Sequence, residues 1–277
     1  MAQGPAALAP KKSLGQHFLH DDGVLGRIAE LSSPEPGSGC VEIGPGTGNL
    51  TDHLLRHMQA DQRLVALDLD RRVPEILQQR FGDRVELRLQ DAADCNWAEL
   101  LRSLGPRPTV VGNLPYYAAL PILFAVLESE VPAARLVLMV QKEVADRLVN
   151  APGSSDTGQV TVKLQMRADA KMAFKVGKGA FQPPPNVESA VIVVSPLPAT
   201  RYPLPDWGRF SRLVTAGFGQ RRKTLANAVQ AGLGVPGEAI RQALRECGLD
   251  DRMRAEALTL KQWAALAHQL DPVLKAK

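Results

Sequence analysis

The stretch "NLPYY", Asn113 to Tyr117, directly follows the apolar run "PTVVG". It puts a side-chain amide, a rigid turn and two phenols at the end of what reads as a buried strand. Those residue types suit work on the exocyclic amine of a purine, a poor nucleophile because its lone pair is delocalised into the ring. Two acceptors aimed at the two N–H bonds favour a pyramidal, more reactive nitrogen. Asn113 supplies a side-chain oxygen and Leu114 a backbone carbonyl. Pro115 restricts Leu114 and so sets where that carbonyl points. Tyr116 offers a face for a base taken out of its stack. A β-turn with core tyrosines is the competing reading.

A second loop, "VEIGPGTGNLT" (41–51), carries Gly44, Gly46 and Gly48 between a strand pattern and a helix pattern. The dinucleotide motif G-x-G-x-x-G needs a glycine where Asn49 stands, and a P-loop needs a Lys that is missing. A phosphate cradle is therefore disfavoured, which argues against a nicotinamide dehydrogenase. The next strand ends in "ALDLD", placing Asp68 about twenty residues on, where an acid takes ribose hydroxyls. The third ends in "LQDAADC" and brings Asp91 to the same sheet edge. A glycine loop, two acids and no phosphate site fit the nucleoside of S-adenosylmethionine. With a sulfonium methyl donor no general base is needed early, and catalysis is mostly orientation and electrostatics.

Seven apolar runs must position these residues: 40–44, 63–68, 84–89, 108–112, 135–140, 170–176 and 189–194. Most are rich in Val and Leu and nearly continuously apolar, which predicts strands of a parallel sheet covered on both faces. Amphipathic segments between them, such as "TDHLLRHM", "RVPEILQQRF" and "LPILFAVLES", predict an α/β, Rossmann-like domain with right-handed crossovers. "QKEVADRLV" reads as an ordinary amphipathic helix. Four prolines in "SPLPATRYPLPDW" mark a linker. Helical spacing then recurs in "WGRFSRLVTAGF", "TLANAVQAG", "PGEAIRQALRECG" and "TLKQWAALAHQL", a small all-α domain. The expected division is a flexible tail over 1–11, a methyltransferase domain over 12–198 and a helical RNA-contacting domain over 199–277.

The 277 residues are 45% hydrophobic and 22% charged, which excludes wholesale disorder. No apolar run reaches the ~18 residues of a membrane span, and the Pro-containing N-terminus does not read as a targeting peptide. Cys40, Cys95 and Cys247 form no C-x-x-C pair, which points to a reducing, cytoplasmic setting. Net charge is +4. From Trp207 to Gln230 stand Arg209, Arg212, Arg221, Arg222 and Lys223 with no acid, a cluster suited to a polyanion. A solvated helix face is the alternative for "QRRKT". His53 and His57 have metal-pair spacing, but surface histidines fit them better. Glu42, beside the glycine loop, either approaches the cofactor's ammonium group or caps local backbone. No metal is expected.

Taken together, "KSLGQHFLHD" (12–21), "VEIGPGTGNLT", "LDLD" (67–70), "QDA" (90–92), "GNLPYY" (112–117), "QKEVADRLV" (141–149), "AFQPPPNVESAV" (180–191) and "FGQRRKTLANA" (218–228) resemble the ribosomal RNA adenine dimethyltransferases, the KsgA/Dim family. The bacterial enzymes of the small subunit are the branch most resembled, over nearly the whole chain. The resemblance implies S-adenosylmethionine contacts at His17, Leu19, Gly44, Asp68, Asp91 and Asn113. It implies a target-adenine site at Asn113, Leu114, Pro115 and Tyr116, with Phe181 as a second stacking partner. It places a basic helix around Arg221, Arg222 and Lys223 on the RNA. The implied substrate is a pair of adjacent adenosines in a hairpin loop near the 3′ end of small-subunit rRNA, each receiving two methyls on N6, and the implied partner is the assembling small subunit. Nothing in the sequence requires more than a monomer or a membrane. Two positions depart from the family pattern: His17 stands where Asn is common, and Asp68 where Glu is common. The rival readings are a large-subunit adenine methyltransferase of the antibiotic-resistance type and a ribosome-assembly factor that binds RNA without catalysis.

Overall fold

A computed structural model describes residues 8–11, 15–115, 117–154, 156–220 and 222–275. All seven apolar runs form strands. Including two short ones, the strands are β1 (Phe18–Leu19), β2 (Cys40–Ile43), β3 (Leu64–Asp68), β4 (Val85–Leu89), β5 (Thr109–Asn113), β6 (Arg135–Gln141), β7 (Ala168–Val176), β8 (Phe181–Gln182) and β9 (Ser189–Pro196). The helices are α1 (Asp22–Ser32), α2 (Asn49–His57), α3 (Val73–Phe81), α4 (Trp97–Ser103), α5 (Ala119–Leu127), α6 (Lys142–Val149), α7 (Gln159–Arg167), α8 (Trp207–Phe218), α9 (Leu225–Leu233), α10 (Gly237–Glu246) and α11 (Leu260–Lys275).

The chain divides into two compact units. One holds the described residues up to Ala145 together with Ala170–Pro196; the other holds Asp146–Asp169 and Leu197–Lys277. This differs from a single cut between 198 and 199. Val162 and Met166 of α7 are buried in the same core as Phe210, Leu213 and Trp263. The Pro-rich segment expected to be a linker is bonded to the end of α7: Leu197 N–H donates to the Arg167 carbonyl at 2.8 Å and Arg201 N–H to that of Met166 at 2.7 Å. Residues 8–11 also differ from a flexible tail. Leu8 is buried, and Lys11 Nζ lies 3.0 Å from the Asp70 carboxylate.

In the first unit a seven-stranded sheet runs in the order β4-β3-β2-β5-β6-β9-β7. The pairs from β4 through β6 are parallel, as expected, whereas β9 runs antiparallel to β6. The apolar run of β9 looks like that of a parallel strand because it too is buried on both faces. Helices cover the sheet, and every residue of β2 is buried. Strand order reverses between β2 and β5, the point in such sheets where a crevice opens at the carboxyl ends.

In the helical unit Asp206 caps α8 through Arg209 N–H, and Thr224 caps α9 through Asn227 N–H. Gly217 allows the helices to approach closely: a Cβ there would lie 2.8 Å from both Leu225 and Trp263.

Candidate active site

The crevice is lined by the ends of β2 to β5 and by residues 15–18. Parallel pairing aligns Ile43 with both Leu67 and Gly112, so the loop after β2, Asp68 and Asn113 emerge side by side. Gly44 and Gly46 have φ of +69° and +53°, conformations that side-chain-bearing residues rarely adopt. A Cβ on Gly46 would sit 2.9 Å from the Phe18 ring, so that ring packs directly on the loop backbone.

Asp68 ends β3. Its carboxylate accepts from Asp70 N–H at 2.8 Å and from Gly46 N–H at 3.4 Å, which ties the acid to the glycine loop. Burial raises its pKa against those hydrogen bonds. Asp91 accepts from Ala93 N–H at 2.8 Å and starts the short turn after β4. Both acids line the crevice.

Asn113 ends β5. Its Nδ2 donates to the His17 carbonyl at 3.0 Å. A carbonyl can only accept, so this bond fixes which end of the amide is nitrogen and leaves Oδ1 as an acceptor. Leu114 and Pro115 follow on the same wall. Tyr116 lies outside the described residues. Tyr117 is 64% exposed at the rim.

His17 Nδ1 lies 2.8 Å from the Pro183 carbonyl, so Nδ1 carries the hydrogen and donates. The next residues pair antiparallel with β8, Phe18 with Gln182 and Leu19 with Phe181. This ribbon brings Phe181, which is 2% exposed, onto the crevice wall with His17. Leu19 is placed differently: its side chain is buried in the core, and its carbonyl accepts from Asn49 Nδ2 at 3.0 Å. It holds the start of α2 and does not line the crevice.

Glu42 is buried in β2 beneath the loop. Its Oε2 accepts from the Thr51 hydroxyl at 2.7 Å, while Oε1 is buried without a partner. Burial pushes its pKa up to about 7, opposed by the Thr51 hydrogen bond. Its side chain is not part of the crevice wall. Sequence reasoning passed over Gln16, Phe18, Leu69, Tyr117 and Ile122, all of which line it. The signal was present for Leu69, an apolar residue directly after the strand-end acid that proves 48% exposed.

Arg209 and Arg212 of the basic cluster lie on α8, but Arg222 and Lys223 are not on a helix. α8 ends at Phe218 and α9 begins at Leu225, so Arg222 and Lys223 occupy the connecting turn, both exposed, with Lys223 N–H bonded to the Gln220 carbonyl at 2.9 Å. Arg221 lies outside the described residues. Arg209 is taken up internally, its Nε 2.6 Å from Asp271. His53 Nε2 lies 2.9 Å from Asp22, an α1–α2 contact.

The fold is similar to a dimethyladenosine transferase from Plasmodium falciparum, with a TM-score of 0.72, 21% identity, and coverage of 92% of this chain and 98% of that one. It is also similar to the 23S rRNA methyltransferase ErmE, with a TM-score of 0.66 and 22% identity over 92% of this chain and 99% of that one. The family model for ribosomal RNA adenine dimethylase matches residues 8–271. The chain belongs to that family. Among its relatives, the ribosomal RNA small subunit methyltransferase A of Anaeromyxobacter sp. (strain K) is 42% identical over 95% of this chain and 94% of its own. The protein of the same name from Geobacter metallireducens is also 42% identical, over 94% and 95%. As a member of this family the enzyme is a methyltransferase that uses S-adenosylmethionine. Its crevice fits that cofactor: a glycine backbone open to close approach and two strand-end acids for a nucleoside, with Asn49 where the dinucleotide motif needs its last glycine.

Proposed function

We propose that the enzyme methylates N6 of two adjacent adenosines in a hairpin loop near the 3′ end of small-subunit rRNA, two methyls on each, during assembly of that subunit. The observation that carries the reading is the anchored amide of Asn113, with Nδ2 spent on the His17 carbonyl and Oδ1 kept as an acceptor beside the glycine loop. Asn113 Oδ1 and the Leu114 carbonyl accept the two amine hydrogens of the target adenine and orient its lone pair. Pro115 fixes the Leu114 carbonyl, and Phe181 and Tyr116 hold the base by its faces. Asp68 takes the cofactor ribose, and Asp91, Gly44 and His17 complete the donor site. Bound S-adenosylmethionine supplies an electrophilic methyl on a sulfonium. The protein's own contribution is to position two groups and to stabilise the charge that grows on the amine. Arg221, Arg222 and Lys223 meet RNA phosphates, and the enzyme works as a monomer in the cytoplasm.

The relatives named for the small subunit at 42% identity favour this substrate over a large-subunit one. Incubation with labelled S-adenosylmethionine and each undermethylated subunit, followed by nucleoside mapping, tests it. Dimethyladenosine in small-subunit RNA is expected. Label confined to the large subunit, or none in either, overturns it.

A further inference from the structure

The turn after β3 holds a carboxylate that the chemistry above does not use. The Asp70 side chain is 0% exposed. It accepts from Lys11 Nζ at 3.0 Å, Gln16 Nε2 at 3.2 Å, and Arg72 Nε and backbone N–H at 3.0 and 3.2 Å. The Arg72 guanidinium also donates to the Ala9 carbonyl at 3.0 Å. Lys11 N–H in turn donates to Gln16 Oε1 at 2.9 Å. Residues 9, 11 and 16, far away in sequence, are thereby tied directly or through Arg72 to one acid.

Both sides of this knot lead to the crevice. Gln16 lines it, the His17 carbonyl holds the Asn113 amide, and the Phe18 ring packs on Gly46. On the other side, Asp70 N–H donates to the Asp68 carboxylate at 2.8 Å. A carboxylate withdrawn from water this completely is stable only while donors use its lone pairs. Here they do, and the Arg72 hydrogen bonds hold its pKa well below the usual carboxylate range.

We infer that Asp70 is a positioning residue for methyl-donor binding: it seats residues 15–18 as one wall of the crevice and fixes the turn that aims Asp68. The inference rests on the reading of the crevice as the S-adenosylmethionine site. Asp70→Asn keeps size and one acceptor but removes the charge. Lys11→Met removes one anchor and changes no crevice residue. Asp68→Ala is the control for the site itself. For each, S-adenosylmethionine affinity is measured by calorimetry, kcat at saturating cofactor, thermal midpoint, and the rate of trypsin cleavage after Lys12.

Asp70→Asn is expected to raise Kd about tenfold or more and Lys11→Met about threefold, the loss of charge-assisted hydrogen bonds acting through the wall. Cleavage after Lys12 accelerates in both, saturating cofactor slows it, and any fall in kcat at saturation is smaller than the rise in Kd. The inference is overturned if Asp70→Asn binds as tightly as wild type while Asp68→Ala does not. It is equally overturned if affinity falls only in step with the thermal midpoint, with no faster cleavage. Should Asp70→Asn fail to fold, unchanged affinity and cleavage in Lys11→Met overturn it. Unchanged affinity in Asp68→Ala instead removes the site reading beneath it.

Discussion

Three carboxylates around the crevice of the α/β unit are largely covered, whereas most of those in the helical unit line its surface. Glu42, Asp68 and Asp70 are withdrawn from water, and each has its pKa displaced by burial or by donors. In the helical unit Glu238 is 68% exposed in its side chain and bridges Arg241 and Arg245, while Asp250 pairs with Arg252 in the open. Asp271, held between Arg209 and Lys275, is the exception. Surface pairs of this kind contribute little and fade with salt. The contrast separates two kinds of electrostatic work. Under the function proposed above, buried groups act at hydrogen-bond range on a small molecule, and exposed cations such as Arg222 and Lys223 act at a distance on a polyanion.

The sharpest way to break the comparison is Asn113→Ala. Loss of a fixed polar group aimed at developing charge is expected to lower kcat by roughly 10²–10³. Neither low salt nor excess RNA should restore it. Recovery at low salt would place Asn113 among docking residues.

Glu42→Gln tests the cost of cover through pH. The folded pKa of about 7 lies above the ordinary 4.5, so between those values the folded chain holds a proton that the unfolded chain has released. Stability from this group is complete below about pH 4.5 and is lost as pH rises to about 7, by an upper bound of about 3 kcal/mol. Denaturant unfolding at pH 5, 6, 7 and 8 should show wild type losing stability relative to Glu42→Gln across that window. A constant difference between the two would mean that Glu42 is ionised throughout.

The smallest effect belongs to the surface. Arg222→Ala with Lys223→Ala should reduce the slope of log affinity for the small subunit against log salt by about 1.4–1.8, at roughly 0.7–0.9 per lost contact. S-adenosylmethionine affinity should not change. Parallel lines for wild type and double variant would make the turn a solvated surface only.

The central strands were legible because burial on both faces writes itself as continuous apolar runs; β4 and β7 are buried only in part. Strand ends were legible for the same reason, which is how Asp68, Asp91 and Asn113 could be placed on one edge. Direction was not: β9 carries the same apolar pattern whichever way it runs. The hint lay in residues 177–188, which hold three consecutive prolines and no crossover-length helix pattern. Arg222 and Lys223 were misplaced by extending a helix through them, although Gly219 and Thr224 are stop and start signals. Residues 146–169 were misassigned because nothing local records that Val162 and Met166 join the core of α8 and α11. The Asp70 knot was out of reach, since its partners are 54 and 59 residues away.

The reversal of strand order between β2 and β5 has a geometric result. Ile43 and Gly112 are register partners, so Gly44 and Asn113 are each the next step along neighbouring strands. Their separation is governed by the interstrand repeat of about 4.8 Å. The gap between donor loop and acceptor amide thus behaves like a lattice constant. Sliding β5 by one step would move the amide about 3.3 Å and turn it to the opposite face. Only discrete values of the gap exist, and a single one joins the two halves of the crevice. Substitutions in the walls can retune affinity by degrees, but the spacing itself is held by a ladder of main-chain hydrogen bonds that no side chain can adjust.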